Sequence, residues 1–300
     1  MITSEAEENK RIIKKLKHPV LLIILILSIP AISLSQDSSK NNFFFFETDN
    51  LFKPLNASVI ESRVGISKNT SDDYLKLDIG TSLDIIGLED NNSVYSFGVD
   101  FFTFSYLRSE PNFKFPVDAI DYLFGINFNY KKHLSKGITL NSRLRVSHIS
   151  SHFQDGHKYE RTDTIFTPVV YSREFINISA IFDHWIAKNL TLRYLLGAEY
   201  LLKTIPDDFG ALSGQFGAEL RYSFNPWLTY YISDEVRLIK VNSINGSYNF
   251  NNNLETGLRF GFANKRGLNI FFTYYDGQDY KGQYFNRMTN YKALGFSVDI

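Results

Sequence analysis

The stretch that decides the fold is residues 118–130, which read Asp-Ala-Ile-Asp-Tyr-Leu-Phe-Gly-Ile-Asn-Phe-Asn-Tyr. Every even-numbered position from Ile120 to Tyr130 is apolar or aromatic, whereas the odd-numbered positions are mainly acidic, amide or glycine residues. A period of two is the side-chain period of a β-strand, in which successive side chains point to opposite faces. The stretch therefore predicts a strand with one apolar and one polar face.

The same alternation recurs about ten times between Leu75 and Ile300, with turns between the repeats. In a soluble sandwich the apolar face would form the core. Repetition on this scale without covering helices favours the opposite arrangement, with the apolar face toward lipid and the polar face toward a lumen. We predict an all-β transmembrane antiparallel up-and-down β-barrel of about 12 strands, from a first strand at residues 57–66 to a last at 291–300.

Composition supports this class of protein. Aromatic residues make up 16% of the 300 residues, and the 32 basic side chains balance the 32 acidic ones, so a nucleic-acid partner is not expected. The mean hydropathy of −0.18 argues against a helical membrane protein. The absence of cysteine excludes disulfides, zinc–thiolate sites and a cysteine nucleophile.

The N-terminus has the pattern of an export signal. Basic residues at 10–17 precede an apolar run at 20–34, and Ser33 and Ser35 are the small residues that a cut before Gln36 needs. An uncleaved anchor is the alternative, but the run is short for a membrane span and contains a proline. We expect a cleaved signal peptide at 1–35, an N-terminal periplasmic segment at 36–55 and the barrel at 56–300.

The connections between the predicted strands alternate between short and long. Outer-membrane barrels have short periplasmic turns and longer outer loops, so both termini should be periplasmic. We therefore expect a location in the bacterial outer membrane, with membrane lipid and lipopolysaccharide as partners. The last strand, residues 291–300, alternates to its end and should be recognised by the barrel insertion machinery.

The polar face carries charges of both signs that should line the lumen. These residues are Lys76, Asp78, Asp84, Asp100, Asp121, Arg143, Arg145, Arg193, Glu199, Glu219, Arg221, Glu235, Arg237, Glu255 and Arg259. Acids and bases two or four residues apart predict ion pairs around the wall, such as Glu219 with Arg221 and Glu255 with Arg259. A selective pore would show one sign in excess at a constriction. The mixture favours a packed, charged lumen over a small-solute channel.

One group of residues suggests chemistry on the lipid-facing side. His148 and Ser150 share the lipid-facing parity of their strand, and Glu174 has the same parity on the next strand, where we place it opposite Val146 and diagonal to His148. A serine, a histidine and an orienting carboxylate are the groups that acyl transfer needs. The alternatives are a structural rim in contact with headgroups and a metal site, for which the weak candidates are His148, His152, Asp155 and His157.

Several stretches carry a family resemblance. They are Pro54-Leu55-Asn56-Ala57, Glu61-Ser62-Arg63, residues 117–122, residues 143–155 with His-Ile-Ser-Ser-His, Tyr171-Ser172-Arg173-Glu174 and Gly282-Gln283-Tyr284-Phe285. Over residues 50–300 the chain resembles a bacterial outer-membrane barrel family defined as a domain of unknown function. This resemblance implies the fold and the location and leaves the activity open.

The His-x-Ser pattern is also similar to the sites of outer-membrane phospholipase A and lipid A deacylase, although Ser151 stands where those enzymes usually have asparagine. We therefore expect a barrel of uncharacterised activity with a packed lumen. A lipid acyl hydrolase with His148, Ser150 and Glu174 is the alternative. No cofactor is expected, and calcium would enter only if the chain is a hydrolase.

Overall fold

The computed structural model describes residues 42–47, 49–153, 168–262 and 265–299. These residues form β-strands and one short 3₁₀ turn at Gly282–Tyr284. The strands are β1 (Asn42–Glu47), β2 (Val64–Asn69), β3 (Tyr74–Asp90), β4 (Ser93–Arg108), β5 (Val117–Ser135), β6 (Ile138–Phe153), β7 (Tyr171–Ala187), β8 (Leu190–Ile205), β9 (Leu212–Asn225), β10 (Leu228–Lys240), β11 (Tyr248–Phe260), β12 (Leu268–Gln278) and β13 (Met288–Val298). In this part of the chain, no helix is long and apolar enough to cross a membrane.

Strands β2 to β13 close into a barrel. Each pairs antiparallel with the next, and β13 returns to pair with β2, with Phe296 opposite Ile66. Closure leaves the wall without a long free edge, which is what a spanning sheet requires in lipid. The predicted 12-stranded antiparallel barrel is confirmed, and β1 is an additional strand that pairs with the C-terminal part of β3, from Asp84 to Glu89.

The two ends of the barrel differ in the length of their connections. Two-residue turns join β3 to β4, β5 to β6, β7 to β8 and β9 to β10, whereas residues 109–116, 206–211, 241–247 and 279–287 form longer loops at the other end. The predicted alternation is therefore confirmed at these connections, whereas the connection from β11 to β12 at the short-turn end spans residues 261–267 and is as long as the loop at 241–247. We refer to the short-turn end as periplasmic and to the long-loop end as outer.

The faces of the wall follow the sequence parity. On β5, Phe124, Ile126 and Phe128 are 47–49% exposed, while Asn127 and Asn129 are buried inside. Large apolar side chains lie on the outside of the other strands in the same way. An apolar exterior around a polar interior is the arrangement expected of a barrel whose solvent is lipid.

The predicted first strand is wrong in part. The wall strand β2 begins at Val64, and residues 57–63 lie inside the barrel rather than in its wall. We call residues 49–63 the plug. Its carbonyl and amide groups bond to polar side chains of the lumen, so these residues can leave the sheet without leaving backbone groups unsatisfied.

The expected domain limits bear on this segment. The predicted signal peptide, residues 1–35, lies outside the described residues. The expected limit between a periplasmic segment and the barrel, at residue 56, falls within the plug, where Phe52 and Leu55 are already buried. The interior of the barrel therefore includes residues from before the expected limit.

Candidate functional site

The lumen is the first place where a function could lie, and the plug occupies it. Leu55 is 2% exposed, and the backbone N–H of Asn56 donates to Glu219 Oε2 at 2.7 Å. Arg193 Nη2 donates to the carbonyl oxygen of Lys53 at 2.6 Å. Charged side chains of the wall thus form hydrogen bonds with backbone N–H and C=O groups of the plug, as a neighbouring strand would in a sheet.

The central contact of the plug is Glu61. Its carboxylate accepts hydrogen bonds from Arg143 Nη1 at 3.0 Å and from Arg145 Nη2 at 2.8 Å. Arg145 also donates to Asp100 Oδ2 at 2.8 Å. Both guanidinium groups are buried, so the plug carboxylate bridges two adjacent positive charges of the wall, and Asp100 supplies the second negative charge that balances them.

The predicted ladder of wall charges is largely present. Arg193 lies opposite Glu219 in register and contacts it at 2.9 Å, and Arg221 contacts the same carboxylate at 2.5 Å. Arg237 contacts Glu235 at 2.7 Å. The inward parity of these residues was predicted from the sequence, and their pairing makes the interior of the wall a network of opposite charges.

One predicted pair, Glu255 with Arg259, is wrong. Glu255 Oε2 instead lies 2.9 Å from Nη1 of the plug residue Arg63. Arg259 Nε turns to Asp299 Oδ2 at 2.7 Å, near the end of the chain. The plug supplies a partner that parity within the wall could not predict.

An apolar layer lies above the charges, toward the outer loops. The plug contributes Ile60, and wall and loop residues complete it: Phe102, Phe104, Leu123, Ile149, Tyr171, Phe175, Leu201, Phe209, Val241 and Phe285. A cavity of about 20 Å³ remains between Ile60 and wall residues such as Arg173. This is roughly the space of one water molecule, so the lumen at this level is filled with side chains.

Conductance through the barrel should therefore be absent or very small. Ions would have to cross both the paired charges around the plug and the apolar layer above it. Planar-bilayer recordings of the purified protein are expected to show a flat baseline, with insertion verified by heat-modifiable migration. Large and steady single-channel currents would show that the lumen is open and would restore the channel hypothesis.

The second place where a function could lie is the predicted group of His148, Ser150 and Glu174 on the lipid-facing side. The structure brings two of the three, His148 and Glu174, into contact. His148 on β6 lies directly opposite Glu174 on β7, and Nδ1 of His148 lies 3.0 Å from Oε1 of Glu174. The predicted diagonal arrangement is wrong by two residues of register. Both side chains are about one-third to two-fifths exposed on the lipid-facing side.

Ser150 is on the same face as His148 and two residues further along β6, opposite Ser172 on β7. Among the described residues, no hydrogen bond joins Ser150 Oγ to His148, so the structure assembles the histidine–carboxylate pair but not the serine–histidine pair. Oε2 of Glu174 is buried and lacks a hydrogen-bond partner. A buried carboxylate oxygen without a partner is costly, and it belongs to the same side chain that holds the imidazole of His148.

The height of this patch follows from its position on β6. His148 lies ten residues from Ile138, the periplasmic end of the strand. At about 3.3 Å per residue and a tilt of about 40°, that distance corresponds to a rise of about 25 Å. The patch therefore lies near the outer edge of the apolar band, where ester groups of outer-leaflet lipids are found.

The metal candidates divide into two groups. His148 and His152 are described, and the ring of His152 packs edge-to-face on Tyr122 with a centroid distance of 5.9 Å. Asp155 and His157 lie outside the described residues. Within the described ranges, no group of three or more histidine and acidic side chains is placed to hold a metal ion.

Solved barrels resemble the structure only at low sequence identity. The NanC porin shares 9% identity, with a TM-score of 0.47 over 79% of this chain and 98% of that chain. Outer membrane phospholipase A from Escherichia coli shares 16%, with a TM-score of 0.47 over 79% and 91%. LpxR from Salmonella typhimurium shares 10%, with a TM-score of 0.42 over 78% and 97%. Likeness at this level carries no argument about activity.

The sequence itself matches one protein family. No curated protein matches the chain significantly. The profile described as "Protein of unknown function (DUF1207)" matches residues 127–299, which is more than half of the chain and includes the His148–Glu174 pair. The resemblance to a barrel family of unknown function is thus confirmed, and the chain belongs to the DUF1207 family.

Proposed function

We propose that the protein is a non-conducting barrel of the bacterial outer membrane that hydrolyses acyl esters of membrane lipids at its outer rim. The observation that carries the proposal is the 3.0 Å contact between His148 Nδ1 and Glu174 Oε1 on the lipid-facing side, with Ser150 on the same face. The filled lumen supports the proposal indirectly. Because the plug blocks the lumen, a lipid can reach polar side chains only on the outside of the barrel.

The orienting role falls to Glu174. A carboxylate that accepts a hydrogen bond from Nδ1–H fixes the tautomer and the plane of the imidazole, which leaves Nε2 to act as a base. Ser150 and His148 are two positions apart on one strand, a separation of about 6.6 Å along the backbone. A change of rotamer in one or both side chains is the step that would bring Oγ to Nε2 in this proposal.

The reaction then follows the usual acyl-transfer course. Ser150 Oγ attacks the ester carbonyl carbon while its proton passes to His148 Nε2, and the tetrahedral intermediate expels the lipid alcohol, which takes that proton. A water molecule, deprotonated by the same histidine, then attacks the acyl-serine and releases the fatty acid. The oxyanion needs stabilisation, so the assay is run with and without calcium.

Lipid release from mixed micelles tests the proposal. Ser150→Ala and His148→Ala should lower acyl release from phospholipid or lipid A by about three orders of magnitude, because the nucleophile or its base is lost. Glu174→Ala should have a smaller effect, because the base remains although its orientation is lost. Heat-modifiable migration should be unchanged in all three.

Ser142→Ala is the matched control, because Ser142 lies on the same strand and on the same lipid-facing parity, closer to the periplasmic end. Its activity should equal that of the wild type. If the wild type releases no acyl chain from either lipid, with or without calcium, the patch is a structural rim and the hydrolase proposal fails.

The outer-membrane location is part of the same proposal. Leu294, Phe296 and Val298 on β13 are exposed and alternate toward the C-terminus. We propose that residues 291–300 are read by the barrel insertion machinery and that lipopolysaccharide contacts the outer rim. The apolar exterior and the alternation of the last strand support both statements.

A further inference from the structure

A carboxylate lies on the lipid-facing side at mid-depth, far from the rim. Asp234 is the middle residue of β10, with six residues of the strand on either side. Its neighbours Ser233 and Glu235 point into the lumen, where both are buried, so Asp234 points outward with Ile232. A span needs about 9–11 strand residues, which places the centre of a 13-residue strand near the bilayer midplane.

The surroundings of Asp234 are otherwise apolar. Across the two neighbouring strands it faces Ala218 and Leu254. Asn252 on β11 donates from Nδ2 to Asp234 Oδ1 at 2.7 Å, and Asn252 in turn lies opposite the exposed, outward-facing Asp276 of β12, two residues from the end of that strand. Other outward charges, such as Glu174 and Lys203, lie within four residues of a strand end, where they reach headgroups or water.

Lipid cannot satisfy this pair of side chains. A charge on the lipid-facing side of a barrel is most costly at the midplane, and hydrocarbon offers no hydrogen-bond partner for Asp234 Oδ2. Ionisable groups at this depth generally face protein or a water-filled cavity. The position of Asp234 therefore indicates that protein covers it.

We propose that the patch formed by Ile232, Asp234, Asn252 and Leu254 is the interface of a two-fold symmetric dimer of this chain. The patch is self-complementary: Asp234 keeps one carboxylate oxygen, and Asn252 one N–H, outside the hydrogen bond that joins the two side chains. Rotation of a second copy about an axis along the membrane normal keeps both residues at the same depth and brings each donor to the other copy's acceptor.

The packing around the pair suits such an interface. Ile232 and Leu254 are exposed and flank the polar pair, and Ala218 leaves room for the other copy to approach. In lipid, association depends on close packing and on interchain hydrogen bonds rather than on burial of apolar surface. A copy of the same chain meets both needs with the groups already present.

Cross-linking provides a direct test, because the chain has no cysteine of its own. Leu254→Cys places a thiol beside the proposed axis, and mild oxidation in the membrane should give a disulfide-linked dimer. Ile126→Cys, on β5 and outside the patch, is the matched control and should stay monomeric on the same gel. A dimer from the control but not from Leu254→Cys would overturn the proposal.

The state of association gives an independent measurement. The wild type in lipid nanodiscs or mild detergent should have the mass of a dimer. Asp234→Leu and Asn252→Leu should each raise the dimer dissociation constant by about tenfold or more, while Ser142→Leu on β6 should leave it unchanged. Asn252→Leu keeps the test decisive if Asp234→Leu misfolds. A monomeric wild type, or a dimer insensitive to both substitutions, would refute the interface.

Discussion

Glu61→Ala is expected to destabilise the barrel by about 3–5 kcal/mol, because it leaves two buried guanidinium groups without their shared partner. Arg143 and Arg145 are each less than 5% exposed. Arg145 keeps Asp100, but Arg143 has no second carboxylate within the part of the chain that the structure describes. Urea unfolding of the protein in liposomes, followed by tryptophan fluorescence, measures the change in free energy.

Two further variants isolate the cause. Glu61→Gln retains one acceptor oxygen and the shape of the side chain but replaces the other acceptor by an NH2 donor and loses the charge, so its effect should be smaller than that of Glu61→Ala. Arg143→Met added to Glu61→Ala should restore part of the loss, because the uncompensated charge is removed along with the carboxylate. If Glu61→Ala unfolds at the wild-type urea concentration, or if the double variant shows simple additivity, the plug is not held by this pair.

The fold was predictable because the period of two decides which side of a strand faces lipid. Ile126 and Asn127 fall on opposite faces in both the sequence pattern and the structure. The inward charges such as Arg193 and Glu219 follow from the same parity, and so do the pairs that they form across adjacent strands. Local rules of this kind apply at every strand, so small errors in strand limits leave the faces unchanged.

The plug could not be predicted by those rules. Residues 57–63 mix apolar and charged side chains, and nothing local distinguishes a wall strand from a segment folded into the lumen. Its contacts are distant in sequence, since Glu61 and Arg143 are 82 residues apart. The available signals were Pro54, which disfavours a central strand, and the charges of Glu61 and Arg63, whose partners lie on wall strands far away in the sequence.

For the patch of His148, Ser150 and Glu174, the sequence predicts which side of the wall the residues face. It does not predict which residues lie opposite each other on β6 and β7. Parity placed His148 and Glu174 on the same side, and the loop between β6 and β7 determines which residues face each other. An assumed hairpin centre near residue 160 paired Glu174 with Val146, whereas the structure pairs it with His148. A shift of two residues preserves the faces and changes the contacts, so chemistry is harder to predict than burial.

Asp234 is a second feature that the alternation of apolar and polar residues does not predict. The residues of β10 follow the alternation that predicts a strand, yet an outward carboxylate at its centre breaks the rule that predicts the fold. A departure from a rule that holds on the neighbouring strands is often a functional feature. In this barrel the departure coincides with a hydrogen-bonded amide partner, Asn252, on the next strand.

Ile126→Asp is expected to cost about 2–4 kcal/mol and to impair assembly in bilayers. Ile126 lies in the middle of β5, is 49% exposed on the lipid-facing side, and pairs with Val99 and Val146 on the neighbouring strands. A carboxylate there would have no donor on either strand and would face hydrocarbon. The fraction of heat-modifiable, folded protein after refolding into liposomes measures the effect.

Ile126→Val is the matched control, because it keeps the site apolar and should refold as the wild type does. The comparison with Asp234 makes the test more specific. Asp234 is tolerated on the lipid-facing side if Asn252 and a second copy satisfy it, so Asp234→Leu should refold well as a monomer whereas Ile126→Asp should not. Normal refolding of Ile126→Asp would mean that β5 does not face lipid, and the assignment of faces on which the barrel, the rim patch and the dimer interface depend would have to be reversed.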